Sequence, residues 1–292
     1  MKIGIEINNK SYLPEAFAYQ KFLLDNGYQV QLAPADDLSA LNDINLFFMG
    51  LRNKKTKTPE IHEYHSLSVP PLSKTKDFLK ARLNSKPSGR IFLNQKVKDH
   101  LNFQDEIKFI YRDMGVDDLF FHQKKNTKEF DIVYAGSIDS RPNILNIFEN
   151  LSKKGFKLCI IGKISDNTNK FLKGFNNITL TGPLKRTEIP YIYSISEAGL
   201  NYTPDIYPFN IQTSTKTLEY LSSGIKCISN RYQWSIDFSN EIGYDFLWLE
   251  EMNSPSDLYN SSSPNVNMEF FKWENILIRS QFINFLLNQA SI

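Results

Sequence analysis

Apolar residues in this chain fall into short continuous runs separated by stretches of helical or irregular pattern, which is how buried parallel strands read rather than half-solvated ones. KIGIEI opens the chain. A loop with Asn8, Asn9 and Pro14 follows, then a helix over about 14–26 closed by Gly27, a strand YQVQLA and a third apolar run, INLFFMG, at 44–50. A polar, basic interval with paired prolines (VPPLSKTK) precedes a further strand, GRIFLN, at 89–94. The segment 101–128 is irregular and charged, and the linker is placed near 120–128. From Phe130 the alternation restarts: strand DIVYAGS, a helix near 142–154 closed by Gly155, strand FKLCIIGK, then ITLTGPL. A helix near 187–196, the run AGLNYTP, a helix near 214–223 closed by Gly224 and the strand IKCISN complete it. This alternation predicts an α/β architecture of two doubly wound sheets, with ligands at the carboxyl ends of the strands.

A length of 292 residues with 41% hydrophobic and 23% charged positions suits two globular domains. No run approaches the roughly 18 to 20 apolar residues of a spanning helix, and MKIGIEINNK lacks the order of a signal peptide, so a cytoplasmic location is expected. Cys159 and Cys227 sit inside apolar runs and read as inert core thiols, too few for a metal or disulfide framework. Neither a GxGxxG fingerprint nor a Walker pattern is present, which argues against a dinucleotide dehydrogenase and a P-loop enzyme.

The formal charge is +2, unevenly spread. Between 74 and 98, Lys74, Lys76, Lys80, Arg82, Lys86, Arg90, Lys96 and Lys98 face one acid, Asp77. Two readings stand: a solvated helix face, or a surface for an anionic acceptor or membrane, worth about 1 kcal/mol per cation. On the second, Lys74, Lys76, Lys80 and Arg82 give peripheral contact with the inner face of a membrane. Nucleic acid is disfavoured, since no aromatic interleaving or reading module accompanies the run.

The segment STKTLEYLSSGIKCIS, 214–229, carries the most chemistry. Ser and Thr at 213–215 are good caps, and the free N–H groups of such a helix start attract phosphate. Lys216 lies in the first turn, where a cation does not help an isolated helix, which points to an anion. Glu219, one turn on, can accept hydrogen bonds from a ribose diol; the plainer alternative is an i, i+3 surface pair with Lys216. In IHEYHSLS, Glu63 or His65 is a candidate catalytic base or acceptor-hydroxyl ligand, against the alternative of a solvated loop, and no third ligand makes zinc spacing. His100 and His122 show no partner pattern.

The pattern S-x-K-x-x-E-Y-x-x-x-G before an apolar strand, together with IVYAGS, CIIGK and NITLTGPL in order, resembles the donor half of GT-B glycosyltransferases, in particular glycosyltransferase family 4. FKWENILIRSQFINFLLN resembles that family's closing helix. The resemblance implies two Rossmann-like domains facing a central cleft: 1–125 for the acceptor, 126–270 for the sugar-nucleotide donor, and 271–292 crossing back to the first. It implies that Glu219 holds the ribose, that Thr215, Lys216 and Thr217 face the diphosphate, and that Pro183 and Leu184 contact the base. Gly136 admits the phosphates, while Arg141 and Lys163 are candidates to neutralise them, a plain surface position being the alternative for Arg141. Two departures stand out: Ile211 replaces a glutamate common in the family, and Ser137 replaces its usual arginine. Asp205, Asn210 and Gln212, in the loop 203–212, are the candidates to substitute for that glutamate toward the sugar.

The implied reaction moves a sugar from a UDP- or GDP-linked donor to a glycan or lipid-linked glycan in surface polysaccharide assembly, with retention. It needs no cofactor and no metal, cations and a helix end stabilising the leaving diphosphate. The alternatives are a catalytically silent nucleotide-sugar-binding subunit, credible because of Ile211 and Ser137, and a GT-B nucleotide-sugar epimerase.

Overall fold

The computed structural model describes residues 1–7, 13–54, 56–121 and 127–290. His122, the expected domain boundary at 125/126 and most of the expected linker lie outside the described residues. The chain divides into two compact units, Met1–Gly115 with Phe270–Ile292, and Val116–Glu269.

In the first unit, β1 (Lys2–Glu6), α1 (Pro14–Asp25), β2 (Gln29–Ala33), β3 (Ile44–Phe48), β4 (Glu60–Tyr64), α2 (Ser73–Leu83), β5 (Gly89–Phe92), α3 (Gln95–Leu101) and β6 (Phe109–Tyr111) follow in order. The strands form one parallel sheet, β2-β1-β3-β4-β5-β6. β1 is flanked by β2 and β3, so the winding reverses between β1 and β3. The closing helix is two helices, α10 (Trp273–Arg279) and α11 (Phe282–Ala290), broken at Gln281, whose φ is 52°. The pair belongs to the first unit: Gly115 lies flat under Trp273, whose ring would stand 2.3 Å from a Cβ there.

β4 is a full strand buried along its whole length, not a solvated loop. Its charges hide it in the sequence, yet each is paired. Glu60 accepts from Thr56 Oγ1 at 2.8 Å and meets Arg52 and His62, while Glu63 accepts from Tyr19 OH at 2.9 Å and from Arg112. The basic run is likewise reduced. Arg90 is buried in β5, bidentate to Asp105 and 3.7 Å over the Phe103 ring, and Lys80 and Lys98 lie beside Asp77 and Asp99. Burial lowers the Lys80 pKa, with Asp77 opposing. His100 also has a partner, its Nε2 3.3 Å from Asp77.

The second unit holds β7 (Phe130–Ala135), α4 (Ile144–Lys153), β8 (Leu158–Ile161), α5 (Asp166–Leu172), β9 (Ile178–Gly182), α6 (Ile189–Ser194), β10 (Ser196–Asn201), α7 (Thr215–Ser222), β11 (Lys226–Ser229), α8 (Gln233–Ile242), β12 (Leu247–Trp248) and α9 (Pro255–Tyr259). Its sheet is parallel throughout, β12-β11-β10-β7-β8-β9. Successive crossovers from β7 run outward through β8 and β9; the chain then returns to β10 on the other side and runs outward again. The switch point is therefore between β7 and β10, where the loops leave in opposite directions and open a crevice. Ile132, Phe148, Leu158, Ile160, Leu200 and Ile228 form the core beneath it.

Candidate functional site

A cleft of about 240 Å3 opens at that switch point, within the second unit. Its floor is the carboxyl end of β7 (Tyr134, Ala135, Gly136) and of β10 (Leu200, Asn201), and its wall is the segment from Gln212 through the first turn of α7.

Helix α7 is set on this edge by its own sequence. Ser214 caps it, accepting from Thr217 N at 3.3 Å, and the same hydroxyl donates to Asn201 Oδ1 at 2.9 Å. Asn201 in turn donates to Ser229 Oγ and Tyr232 OH, both at 3.0 Å, so the cap is tied to the sheet. One turn on, the Tyr220 ring lies across β10 on Gly199, where a Cβ would stand 2.2 Å from the ring. The Tyr220 hydroxyl accepts from Ala135 N at 3.2 Å. The helix start thus faces the cleft with its N–H groups and the positive end of its dipole.

Of the residues singled out in the sequence, the cleft gathers Gly136, Arg141, Gln212, Thr215 and Lys216. Arg141 donates to Tyr202 O at 3.0 Å, which fixes it in the cleft. Gln212 Nε2 is buried without a hydrogen-bond partner, an orphan donor in a wall that a ligand oxygen would complete. Asn210 stands two positions further back, donating to Asp205 at 2.9 Å and leaving its own Oδ1 unpartnered.

Glu219 does not line the cleft. It is buried behind Lys216, whose Nζ is 2.7 Å from its carboxylate, with Arg186 Nη1 at 3.0 Å and Tyr193 OH at 3.3 Å. Lys216 and Glu219 are thus paired as the plainer reading of the helix foresaw, although with Glu219 buried. Arg186 went unnoticed in the sequence. It bridges Glu219 and Asp117, two carboxylates that outweigh the burial lowering its pKa and raise it on balance. Its position two residues past Leu184 is the only signal that could have found it.

Other expected residues stand elsewhere. Thr217 is fully buried and contributes its backbone N–H to the cap. Lys163 and Pro183 are exposed and Leu184 is half-buried, and none of the three lines the cleft. Gly136 tolerates more than expected: a Cβ there would stand 3.2 Å from Tyr134 OH. The demanding glycine is Gly162, at φ 157°, where a Cβ would meet Gly136 O at 2.5 Å. Burial pushes the thiols of Cys159 and Cys227 up to about 12, which keeps both protonated and inert.

In the first unit, Glu63 does not serve as an open base. It is 0% exposed, as is its partner Arg112, and the pair is sealed under Tyr19. His65, just beyond β4, is half-buried against Phe48, with Nδ1 unpartnered; burial lowers its pKa, against an upward pull from Glu15. Among the described residues no cluster of His, Cys, Asp and Glu could hold a metal.

No protein-family model and no curated protein matches the sequence. Solved structures do. AviGT4, a glycosyltransferase involved in avilamycin A biosynthesis, aligns with a TM-score of 0.67 at 12% identity over 99% of this chain and 98% of its own. HepE of Anabaena, in complex with UDP, aligns at 0.63 and 11% identity over 98% and 99%. T4 phage BGT, in complex with its UDP-glucose substrate, aligns at 0.57 and 15% identity over the whole of both chains. At such identities the likeness establishes the fold, the GT-B fold with two α/β units expected from the sequence.

Proposed function

We propose that the protein is a glycosyltransferase whose nucleoside diphosphate sugar donor binds in the cleft at β7 and β10. One observation carries this reading: a helix start, two cations (Arg141 and Lys216) and the orphan Gln212 amide converge on one crevice at the switch point of a doubly wound sheet. That set is complementary to a diphosphate with a sugar beyond it. Complexes of HepE with UDP and of T4 phage BGT with UDP-glucose support the same donor class.

On binding, Lys216 turns from Glu219 to the diphosphate, opening Oε2, which it shares with Tyr193 OH, to the ribose diol while Arg186 holds Oε1. Negative charge developing on the leaving diphosphate meets Lys216, Arg141 and the α7 N–H groups. Asn210 and Gln212 hold sugar hydroxyls in place of the family glutamate that is Ile211 here. With Glu63 sealed, the reading favours retention, in which the leaving phosphate oxygen takes the acceptor proton. The narrower assignment to glycosyltransferase family 4, with a UDP- or GDP-sugar donor, rests on the motif Ser214-x-Lys216-x-x-Glu219. The acceptor in this reading is a glycan or lipid-linked glycan of a surface polysaccharide, met at an anionic membrane face through Lys74, Lys76 and Arg82, exposed on α2, while Lys80, half-buried beside Asp77, takes no part.

A thermal-shift series with UDP, GDP and their sugars tests the donor, because a ligand that binds only the folded state raises the midpoint by mass action. A shift with none of them would sink the donor assignment. Turnover persisting in excess EDTA is expected; since T4 phage BGT has been crystallised with UDP and Mn2+, activity lost to EDTA and restored by Mn2+ would show that the cations here do not suffice. Slow donor hydrolysis without acceptor separates an active transferase from a silent subunit, and conversion to an epimeric sugar nucleotide would show an epimerase.

A further inference from the structure

The first unit holds a cavity of its own, of about 520 Å3, bounded by α3, β6 and α11. It shares no residue with the cleft at β7 and β10. Phe92, Phe103 and Phe109 form one wall, their ring centroids 5.8 and 5.9 Å from the central Phe92, and Phe285 closes it from α11. Phe109 is exposed and Phe103 half-buried, so these two rings present the wall's aromatic surface, with Arg90 lying 3.7 Å over Phe103 and Lys98 Nζ 4.8 Å over Phe109.

Two nearly sealed polar side chains stand in the same lining. Gln289 is 1% exposed and its Oε1 accepts no hydrogen bond. Arg90 is 4% exposed; its two terminal nitrogens bind Asp105 at 2.5 and 2.8 Å, and its Nε donates to nothing. Buried donors and acceptors are rarely left open unless something completes them. Packing holds Gln289 in place: a Cβ on Gly89 would stand 2.9 Å from its Cγ and 2.6 Å from Phe285. A hydroxyl both donates and accepts, so a polyhydroxylated ligand matches one free acceptor and one free donor. The charges in the lining balance, Arg90, Lys98 and Lys108 against Asp99, Asp105 and Glu106, which favours neither a phosphate nor a cation. The volume lies within the range of small-molecule sites.

We propose that this cavity binds a neutral sugar residue, its apolar C–H face on Phe103 and Phe109 and its hydroxyls on Gln289 Oε1 and Arg90 Nε. The site is a second carbohydrate site, on the first unit, and does not depend on the donor assignment.

The test is saturation-transfer NMR on the full chain with methyl β-D-glucopyranoside and maltotriose as neutral probes and glucose 6-phosphate as a charged one. Transfer is expected to both neutral probes, less to the phosphate. It should persist in saturating UDP and in Lys216→Ala, and be lost in Gln289→Leu and in Phe109→Ser, each checked by circular dichroism. Phe109 is exposed, so its variant decides alone if Gln289→Leu does not fold. No transfer to the neutral probes, stronger transfer to the phosphate, survival of the signal in the variants, or displacement by UDP would each overturn the proposal. Displacement by UDP would leave the donor cleft standing, whereas failure of UDP to bind would sink the donor assignment and leave this site untouched.

Discussion

Glu63 and Glu219 are held by the same kinds of group and differ in what surrounds them. Glu63 accepts from Tyr19 and Arg112, Glu219 from Tyr193, Arg186 and Lys216. The partners of Glu63 are entirely buried, whereas the side chains of Arg186 and Lys216 keep 20% and 30% of their exposure. Exchange of partners is what separates them. An arginine sealed at zero exposure has nowhere to turn and makes the carboxylate a part of the fold. A half-exposed lysine at the lip of a cleft can leave its glutamate for a ligand, so the second cluster can serve chemistry.

The sharpest way to break this comparison is to remove the first glutamate. Glu63→Ala leaves the Arg112 guanidinium buried and unpaired, and the expected loss is about 3–5 kcal/mol of stability, read by chemical denaturation. Replacing both, Glu63→Leu with Arg112→Leu, should recover much of it because no lone charge remains. If Glu63→Ala unfolds at the wild-type midpoint and instead abolishes turnover, Glu63 is a base after all and the two clusters are alike.

The second cluster should show the opposite partition. Glu219→Gln and Lys216→Ala are expected to weaken nucleotide affinity by about ten- to a hundredfold in calorimetry, or roughly 1.4–2.7 kcal/mol. Stability should fall less, because Arg186 keeps Asp117. Unchanged affinity in both variants would remove the donor site from α7.

Much of this contrast was open to reading from the sequence in the second unit and little in the first. Strand β8 is an unbroken apolar run and the charges Asp131 and Lys226 stand near the starts of β7 and β11, leaving IVYA and CI apolar, and Ser214, Lys216 and Glu219 belong to one short helix and its cap, so local pattern places them together. β4 reads EIHEY because its charges are matched by residues far along the chain: Glu63 by Tyr19, 44 positions away, and by Arg112, 49 positions away. Arg90 was indistinguishable from its exposed neighbours until β5 buried it against Asp105. Arg186 escaped for the same reason, its partners Asp117 and Glu219 lying 69 and 33 positions off. Periodicity reports burial of apolar groups, and long-range pairing of buried charges leaves no periodic trace.

Histidines flanking the sealed glutamate give a smaller, pH-dependent effect. Burial lowers the pKa of both His62 and His65 from 6.5 in the folded chain, Glu60 and Glu15 respectively opposing it and Arg90, Arg52 and Lys80 adding to it. The unfolded chain therefore binds more protons just below pH 6.5, so stability is full above that value and falls as pH drops toward the folded pKa values. The slope cannot exceed about 1.4 kcal/mol per pH unit for each histidine. In denaturation series from pH 7.5 to 5, His65→Phe should flatten the lower half of the curve. An unchanged slope would mean that His65 titrates as an exposed group, and that this edge of β4 is open as the cleft of the second unit is.

The smallest effect on the fold is expected from the exposed cations of α2, which have no sealed carboxylate to lose. Lys74, Lys76 and Arg82 are exposed there beside Phe78 and Leu83, while Lys80 is held by Asp77 and belongs with the buried pairs. Changing the three exposed cations to glutamine should alter stability by no more than about 0.5 kcal/mol, the usual span for surface sites. If that face meets an anionic membrane, co-sedimentation with anionic liposomes should be strong at low salt, fade as the Debye length shrinks to about 8–10 Å near physiological strength, and vanish in the triple variant. Lys80→Gln alone should do the reverse, costing stability and sparing liposome binding, because its charge is spent on Asp77. Equal binding of the wild type and the triple variant to neutral and anionic vesicles would leave these cations as a solvated helix face and a soluble glycan as the better acceptor.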